Sequence, residues 1–363
     1  MSRPFAIAAI TICALIWGTT WYAITLQLGP VDSIVSIVWR FGLASAVLFA
    51  FCAVTRRPLR LTRSQHLAAI GQGAFVFAVS YGFVYAAEGQ VASAVVAVIF
   101  AALAFVNLIL FRLLGGQKAA PAAWIGAVLG VMGVGVLSYG QITAAGAGLN
   151  PGLGVIFALT AVLASALGNW FAWKGQQAGA PVMAATSWAM AYGTAMLALY
   201  GMATGVTWRI EPTPDYVLSL LYLSLFGSVI AFGLYFTIAR TIGYAMASYV
   251  SALTPPIAML VSVLFEGAKF GWIALAGLAL VFAGLALGLR ANQVAVGLAV
   301  GILGQGLSSL VGNSYESLTI TGLPKLALPG LSDLPVVGVL FVQDIVVWLT
   351  LLFAVALWAV LNH

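Results

Sequence analysis

The chain has 363 residues and a formal charge of +6; 63% of its residues are hydrophobic and only 6% are charged. A soluble domain carries roughly 25% charged residues, so this composition excludes a water-soluble protein. The basic residues lie between apolar runs and do not form a polar face interleaved with aromatic residues, which argues against a nucleic-acid partner. The apolar runs are about 20 residues long, enough to cross roughly 30 Å of hydrocarbon. Membrane lipid is therefore the expected environment.

Apolar runs bounded by charged or turn residues predict ten transmembrane helices. Their composition, rich in Gly, Ala, Leu and Val, is typical of helices and not of a barrel with alternating segments. The first run is too long for a signal peptide and is interpreted as a retained helix. The predicted spans are 5–28, 33–54, 65–87, 90–112, 120–140, 152–174, 181–204, 216–239, 244–265 and 270–289.

The loops on alternate sides of these spans differ in charge. One side receives most of the basic residues, including Arg56, Arg57 and Arg240, whereas the other receives only Arg209 and Lys269. The positive-inside rule assigns the basic side to the cytoplasm. The sequence therefore predicts a multi-pass protein of the bacterial inner (plasma) membrane with a cytoplasmic N-terminus.

Two sequence matches at an offset of five helices predict an internal repeat. The stretch from Gly89 to Phe111 aligns without a gap on the stretch from Gly243 to Phe265, and the Trp17-Gly18 region of the first helix faces Leu167-Gly168 of the sixth. Because five is odd, the second copy enters the membrane from the opposite side, which gives the inverted repeat of many secondary transporters. The predicted halves are residues 1–145 and 146–290.

The ten-helix part of the sequence resembles a known family, the drug/metabolite transporter superfamily with EamA-type repeats. The resemblance depends on Ile16-Trp17-Gly18, on Trp39-Arg40, and on Ala247-Ser248 followed by Thr254-Pro255-Pro256. It covers about residues 4–290 and is strongest to the bacterial aromatic amino-acid exporter branch. The resemblance implies a basket of ten helices around a central cavity, and export of amino acids or related metabolites. In the fourth helix Ala101-Ala102 replaces the proline pair, so a proline-dependent break is expected in one half only.

Aromatic and polar residues inside the spans are the candidate substrate-binding groups. Tyr and Trp offer apolar faces, a quadrupole for an ammonium group and OH or NH donors for a carboxylate. Tyr81 and Tyr85 stand four residues apart and share one face of a helix. Interface anchoring and packing remain the alternative roles for any one of these residues. The candidates of this kind are Trp17, Trp21, Tyr81, Tyr85, Asn169, Trp170, Trp173 and Tyr249.

Two further candidates are unusual inside a membrane helix. Arg40 is the one basic residue plainly inside an apolar span, where a charge is costly unless it faces a cavity or a partner. It is expected either to attract a substrate carboxylate, or to bond backbone carbonyls or extend its side chain to the outer surface of the membrane. Pro255 removes a backbone donor in mid-helix, which either frees carbonyls along a pathway or kinks the helix for packing.

Several functions are excluded or disfavoured by missing motifs. The sequence lacks a GxxxxGK[ST] phosphate loop and the HExxH and GxSxG motifs, so neither ATP hydrolysis by that route nor enzymatic catalysis is expected. No metal site or cofactor is predicted. No acidic residue lies well inside a predicted span, which predicts weak or absent proton coupling.

Residues 291–363 extend beyond the repeat. Two apolar runs, 294–311 and 345–361, predict one or two extra membrane helices around a proline-rich loop. This tail resembles a fragment of the permease subunit of sugar or nucleoside ABC importers, through Arg290-Ala291-Asn292-Gln293, Gly304-Gln305-Gly306 and the segment from Pro329 to Pro335. Its origin as a fusion, a truncation or a chimera is open.

The function that these observations favour is secondary transport of aromatic or other neutral amino acids, by export or facilitated passage, through alternating access. A carrier of another metabolite or drug, and a non-transporting partner in an ABC-type permease complex, are the alternatives. The expected partners are the small-molecule substrate and membrane lipid, and the sequence leaves the oligomeric state open.

Overall fold

The computed structural model describes residues 3–29, 31–116, 121–143, 150–242, 244–268, 271–288, 325–327 and 342–344. The chain divides into two compact units, Met1–Leu307 and Ser308–His363. The described elements of the first unit are all helices. Its helices are α1 (Arg3–Thr25), α2 (Ser33–Val54), α3 (Arg63–Glu88), α4 (Ser93–Gly115), α5 (Pro121–Thr143), α6 (Pro151–Gln177), α7 (Val182–Thr204), α8 (214–242), α9 (244–266) and α10 (Trp272–Gly288).

Seven of these helices are long and apolar enough to cross a membrane, counting only the described residues. They are α1, α2, α3, α4, α6, α7 and α8. Two shorter apolar stretches, Trp124–Leu137 and Thr254–Glu266, lie in α5 and α9. The chain is thus an all-helical membrane protein in this unit, and the boundaries of its helices agree with the predicted spans to within a few residues. The count of ten spans stays a prediction.

Polar caps explain where several helices begin. The Asp32 carboxylate accepts a hydrogen bond from the Ile34 backbone N–H at 2.8 Å before α2. Thr62 and Gln65 form a reciprocal capping box before α3, and the Asn150 side chain accepts from the Leu153 N–H before α6. These side chains satisfy backbone donors that a helix start leaves without a partner.

The helix contacts repeat after five helices. α1 packs against α8 and α9, and correspondingly α6 packs against α3 and α4. The contact of α3 with α7 exchanges with that of α2 with α8, whereas α2 with α7, α5 with α10 and α4 with α9 each map onto themselves. The packing of the helices therefore has the symmetry that a duplicated five-helix repeat predicts.

Small residues allow the α5–α10 contact. A Cβ atom added to Gly277 would lie 2.7 Å from the Gly133 carbonyl oxygen and 2.6 Å from the Leu137 nitrogen, both backbone atoms. Such distances are shorter than real Cβ contacts, so the two backbones meet where glycine has no side chain. Glycines of α5 and α10 thus serve the packing of these two helices.

Equivalent helices are also irregular at equivalent places. α3 contains a π-helical segment, Gly73–Ser80, and α8 contains another, Leu225–Ile230. In π-helical turns each backbone N–H bonds the carbonyl five residues earlier, which widens the helix. Such turns are frequent at functional sites. Both segments lie in the middle of the helix that contains them.

The interruption expected at Pro255-Pro256 lies instead in the other half. The backbone stays helical from Tyr244 to Val261, and the Thr254 hydroxyl donates to the Val250 carbonyl at 2.8 Å. α4 is interrupted at Ala101-Ala102, where the N–H groups bond carbonyls three residues back, both at 3.0 Å. This tighter turn, and not the missing proline donors, breaks the regular helix. The expected break was therefore assigned to the wrong half.

In the second unit the described residues form two strands, β1 (Lys325–Ala327) and β2 (Val342–Asp344), which pair antiparallel with Lys325 opposite Asp344. The sequence predicted an irregular loop around Lys325, so the fold is not helical throughout. The two apolar runs predicted as extra membrane helices, 294–311 and 345–361, lie outside the described residues.

Candidate functional site

A cavity opens between six helices of the first unit. These helices form three equivalent pairs under the five-helix exchange: α1 with α6, α3 with α8, and α4 with α9. The space free of protein atoms is about 800 Å³ when the open side of the cavity is included. The lining residues are Trp17, Thr20, Trp21, Ile24, Val76, Tyr81, Val84, Ala97, Phe100, Ala101, Leu103, Ser165, Asn169, Phe232, Tyr235 and Thr254.

One wall of the cavity is a continuous stripe along α1. Trp17, Thr20, Trp21 and Ile24 are spaced by three and four residues, so they lie on one helix face. The Trp17 indole N–H donates to the Gly227 carbonyl at 3.1 Å, inside the π-helical segment of α8. The indole nitrogen of Trp21 is buried and has no hydrogen-bond partner among the described residues.

The α3 and α8 walls present a pair of tyrosines. Tyr81 and Tyr235 are separated by the same number of residues as Gly89 and Gly243, the first residues of the aligned repeat stretches, so they occupy equivalent positions. The Phe232 ring centroid lies 6.4 Å from that of Tyr81, and the Trp17 ring centroid lies 5.2 Å from that of Tyr235. Aromatic rings of both halves therefore line the cavity together.

Arg40 lies directly behind Tyr81. Its side chain is fully buried, and its guanidinium carbon lies 4.6 Å from the centroid of the Tyr81 ring and 5.0 Å from that of Phe41. Nε donates to the Ser228 hydroxyl at 3.2 Å, and Nη2 donates to the Tyr81 hydroxyl at 3.5 Å. Nη1 has no hydrogen-bond partner in the described part of the chain. The positive charge is therefore held by neutral groups, and both N–H groups of Nη1 lack a described acceptor.

The remaining polar groups at the cavity are neutral. The Asn169 amide donates to the Asn107 side chain at 3.4 Å, and Ser165 shares a hydrogen bond of 2.7 Å with Ser80. The Thr20 hydroxyl donates to the Trp17 carbonyl at 2.8 Å. None of the described side chains that line the cavity is charged. The site can thus offer aromatic faces and neutral donors, with one cation at its margin.

The structure places five of the predicted site residues at or beside this cavity. Trp17, Trp21, Tyr81 and Asn169 line it, and Arg40 touches it through Tyr81.

Four of the other candidates lie elsewhere, and the side chain of the fifth is outside the described residues. Tyr85 is buried and donates to the Gln27 side chain at 2.7 Å. Trp170 and Trp173 stack on each other at 4.9 Å, away from the cavity lining. Pro255 is buried next to the cavity residue Thr254. Tyr249 lies in α9, but its side chain is outside the described residues.

Sequence reasoning missed several lining residues that a spacing rule identifies. Thr20 completes the helical stripe of Trp17 and Trp21, and Ser165 stands four residues before Asn169 on the same face of α6. Tyr235 follows from the repeat offset applied to Tyr81. Phe100 and Ala101 had no signal of this kind, because their exposure to the cavity depends on the irregular turn in α4.

No group of three or more His, Cys, Asp or Glu in the described residues is arranged to hold a metal ion. The absence of a metal or cofactor requirement stays a prediction.

Comparison with known families supports the resemblance seen in the sequence. The pattern of the family described as "EamA-like transporter family" matches residues 4–139 and 152–290. The two matches divide the chain close to the predicted halves and end at residue 290, before the tail.

Individual relatives are more distant. The "Uncharacterized inner membrane transporter YedA" of Escherichia coli (strain K12) is 29% identical over 266 residues, covering 72% of this chain and 84% of the relative. The protein with the same description from Escherichia coli O157:H7 matches equally. A solved structure described as "Crystal structure of protein" covers 82% of this chain and 99% of its own, with a TM-score of 0.61 and 20% identity, and so shows a shared fold.

Proposed function

The chain belongs to the EamA-like transporter family, and on this premise we propose that it exports aromatic or other neutral amino acids, or lets them pass, across the plasma membrane. It is a secondary transporter of a small solute and not an enzyme. The amino-acid substrate is the proposed part.

The observation that carries this proposal is the uncharged aromatic cavity with a buried arginine behind one tyrosine. An amino acid has an apolar or aromatic side chain, an ammonium group and a carboxylate. The rings of Trp17, Trp21 and Tyr235 suit the first two. The Tyr81 hydroxyl, which accepts a hydrogen bond from Arg40, is a donor suited to the carboxylate.

Alternating access is the proposed mechanism. Three pairs of equivalent helices line the cavity, so a rocking motion of one half against the other would expose it to each side in turn. The symmetric helix contacts support two inverted repeats, 1–145 and 146–290, with ten transmembrane helices. The π-helical segments of α3 and α8, which hold lining or supporting residues, are suitable places for such movement.

The proposed location is the bacterial inner (plasma) membrane with a cytoplasmic N-terminus. The relative YedA is described as an inner membrane transporter. The distribution of Arg and Lys between loops supports the orientation. The tail, 291–363, is proposed to lie outside the transport unit.

Counterflow in liposomes tests the proposal. The full chain is reconstituted with an excess of one unlabelled amino acid inside, and uptake of a panel of labelled amino acids is measured. Exchange of Trp, Tyr, Phe or a neutral aliphatic amino acid is expected, and Tyr81→Phe is expected to slow it while Trp170→Phe is not.

Other outcomes identify the alternatives. Exchange of other metabolites or drugs, with no exchange of any amino acid, would favour a carrier of a different solute. Copurification with an ATP-binding subunit, together with no transport by the isolated chain, would favour a partner role in an ABC-type complex. Either result would overturn the amino-acid proposal.

A further inference from the structure

Glu88, the last residue of α3, is a buried acid without a partner. It falls in the loop between the predicted spans 65–87 and 90–112, but its side chain is only 6% exposed. Neither carboxyl oxygen has a hydrogen-bond partner among the described residues. Leaving a charged carboxylate in such surroundings costs far more free energy than binding a proton. Glu88 is therefore expected to be neutral in the conformation described.

A second acid, Glu266, approaches the same place from the other half of the protein. Its carboxylate accepts a hydrogen bond from the Ser93 hydroxyl at 2.9 Å and another from Ser262. Ser93 is the first residue of α4, so Glu266 also lies at the positive end of that helix. The Glu266 side chain therefore has two hydroxyl donors, whereas Glu88 has none among the described residues.

The two carboxyl groups interact with each other. Glu88 lies within electrostatic range of Glu266 and of Arg40 on α2. When two acids interact electrostatically, the charge of one opposes ionisation of the other. Because Glu266 has the hydroxyl donors and Glu88 has none, a single proton is expected to reside on Glu88.

Among the described residues, Glu266 and Arg40 are the charged groups that act on Glu88. Tyr81 and Tyr85 stand on its own helix, and Arg40 is the basic group facing it. α6 packs along α3 with its N-terminus towards Glu88, which leaves Lys174 at the distant end. The Tyr85 hydroxyl donates a hydrogen bond to the amide oxygen of the fully buried Gln27. The Gln27 Nε2 has no partner in the described residues. The region thus has unused hydrogen-bonding capacity on both an acid and an amide.

From this arrangement we propose that Glu88 and Glu266 form a one-proton site that joins the two halves, and that the site loses its proton when α9 separates from α3 and α4. The only bond that changes is the O–H of Glu88, whose proton passes to water. Two carboxylates then repel each other, and the buried one requires hydration, so the closed contact is no longer favourable. Transport is thereby coupled to protons, contrary to the weak or absent coupling that the sequence predicted.

Infrared spectroscopy tests the site without any transported solute, so its result is independent of the amino-acid proposal. The full chain in liposomes is titrated while the band of protonated carboxyl groups is followed. We expect a band that persists at neutral pH, is lost in Glu88→Gln, and is retained in the matched control Asp215→Asn, an exposed acid. In Glu266→Gln the band should disappear at lower pH, because the opposing charge is gone. A spectrum without this band at neutral pH, or a band that Glu88→Gln leaves unchanged, overturns the proposal.

A distance measurement tests the coupling to movement. Spin labels are placed at Gly89→Cys and Leu264→Cys, two exposed positions flanking the site, with Cys13 and Cys52 replaced by alanine. The distance is expected to lengthen as the pH rises in the otherwise unchanged protein, and to stay short at every pH in Glu88→Gln, which imitates the protonated acid. A distance that responds to pH equally in both proteins, or in neither, contradicts a proton-operated contact.

Discussion

The guanidinium of Arg40 donates a hydrogen bond to the Tyr81 hydroxyl at 3.5 Å and lies 4.6 Å from the centroid of the same ring. Arg40 is completely buried, whereas Tyr81 is half-buried and lines the cavity. A charge that cannot reach the cavity directly can therefore act on a bound solute through one tyrosine. This relationship between a positioning residue and a contact residue leads to the first two predictions.

Replacing Arg40 with Gln should reduce counterflow of amino acids at least about tenfold. Hydrogen bonds to charged groups contribute about 1.5–3 kcal/mol, and about 1.4 kcal/mol corresponds to a factor of ten. The exposed Arg209→Gln is the matched control and should leave the rate unchanged. Equal rates in Arg40→Gln and in the unchanged protein would show that Arg40 has no role in recognition.

The two tyrosines of α3 should respond differently to loss of their hydroxyls. Tyr81→Phe should weaken apparent substrate affinity about two- to tenfold, because one contact to the solute is removed. Tyr85→Phe should instead destabilise the fold by about 1–3 kcal/mol, because the buried Gln27 side chain loses its partner. Thermal unfolding in detergent and the concentration dependence of counterflow separate the two effects. The prediction is wrong if Tyr85→Phe changes affinity as much as Tyr81→Phe.

Tryptophans inside and outside the cavity provide a test of the site itself. Trp21→Phe should lower counterflow, because the Trp21 ring lines the cavity and its buried indole N–H has no partner among the described residues, so it is available to a polar solute. Trp170→Phe and Trp173→Phe should leave counterflow near its original value, because these rings stack on each other away from the lining. A stronger effect at Trp170 than at Trp21 would move the candidate site to that other cluster.

The α5–α10 contact should tolerate no side chain at its closest point. Gly277→Ala is expected to destabilise the protein by about 1–3 kcal/mol, because the new Cβ atom would meet backbone atoms of α5. Gly135→Ala is the control, since nothing lies within 4 Å of its added Cβ atom. Neither helix lines the cavity, so counterflow per folded molecule should not change. Equal thermal stability of the two variants would argue against the close contact.

Removal of residues 291–363 should leave transport intact. The family match ends at residue 290, and the lining residues all precede it. The measurement is counterflow by the shortened chain after its folding has been checked by thermal unfolding. A stably folded deletion without activity would show that the tail takes part in transport.

The sequence by itself determined the class of protein and its helices. With 63% hydrophobic and 6% charged residues, the only available solvent was the bilayer, and run lengths set by its thickness located the helices to within a few residues. The offset between Gly89 and Gly243 gave the five-helix period, because covalent order is preserved in a duplicated sequence. Trp17, Trp21, Tyr81 and Asn169 could be chosen as cavity candidates because aromatic and polar side chains inside spans can contact a solute.

Only the tertiary structure decided which of these residues meet in one place. Side-chain direction depends on helix rotation and on irregular turns, so the break at Ala101-Ala102 and the π-helical segments of α3 and α8 could not be located from composition. For the same reason the sequence could not show that Tyr235 lines the cavity and that Trp170 does not. Glu88 changed from a loop acid to a buried one because burial is a property of neighbouring helices, and those neighbours come from distant parts of the chain.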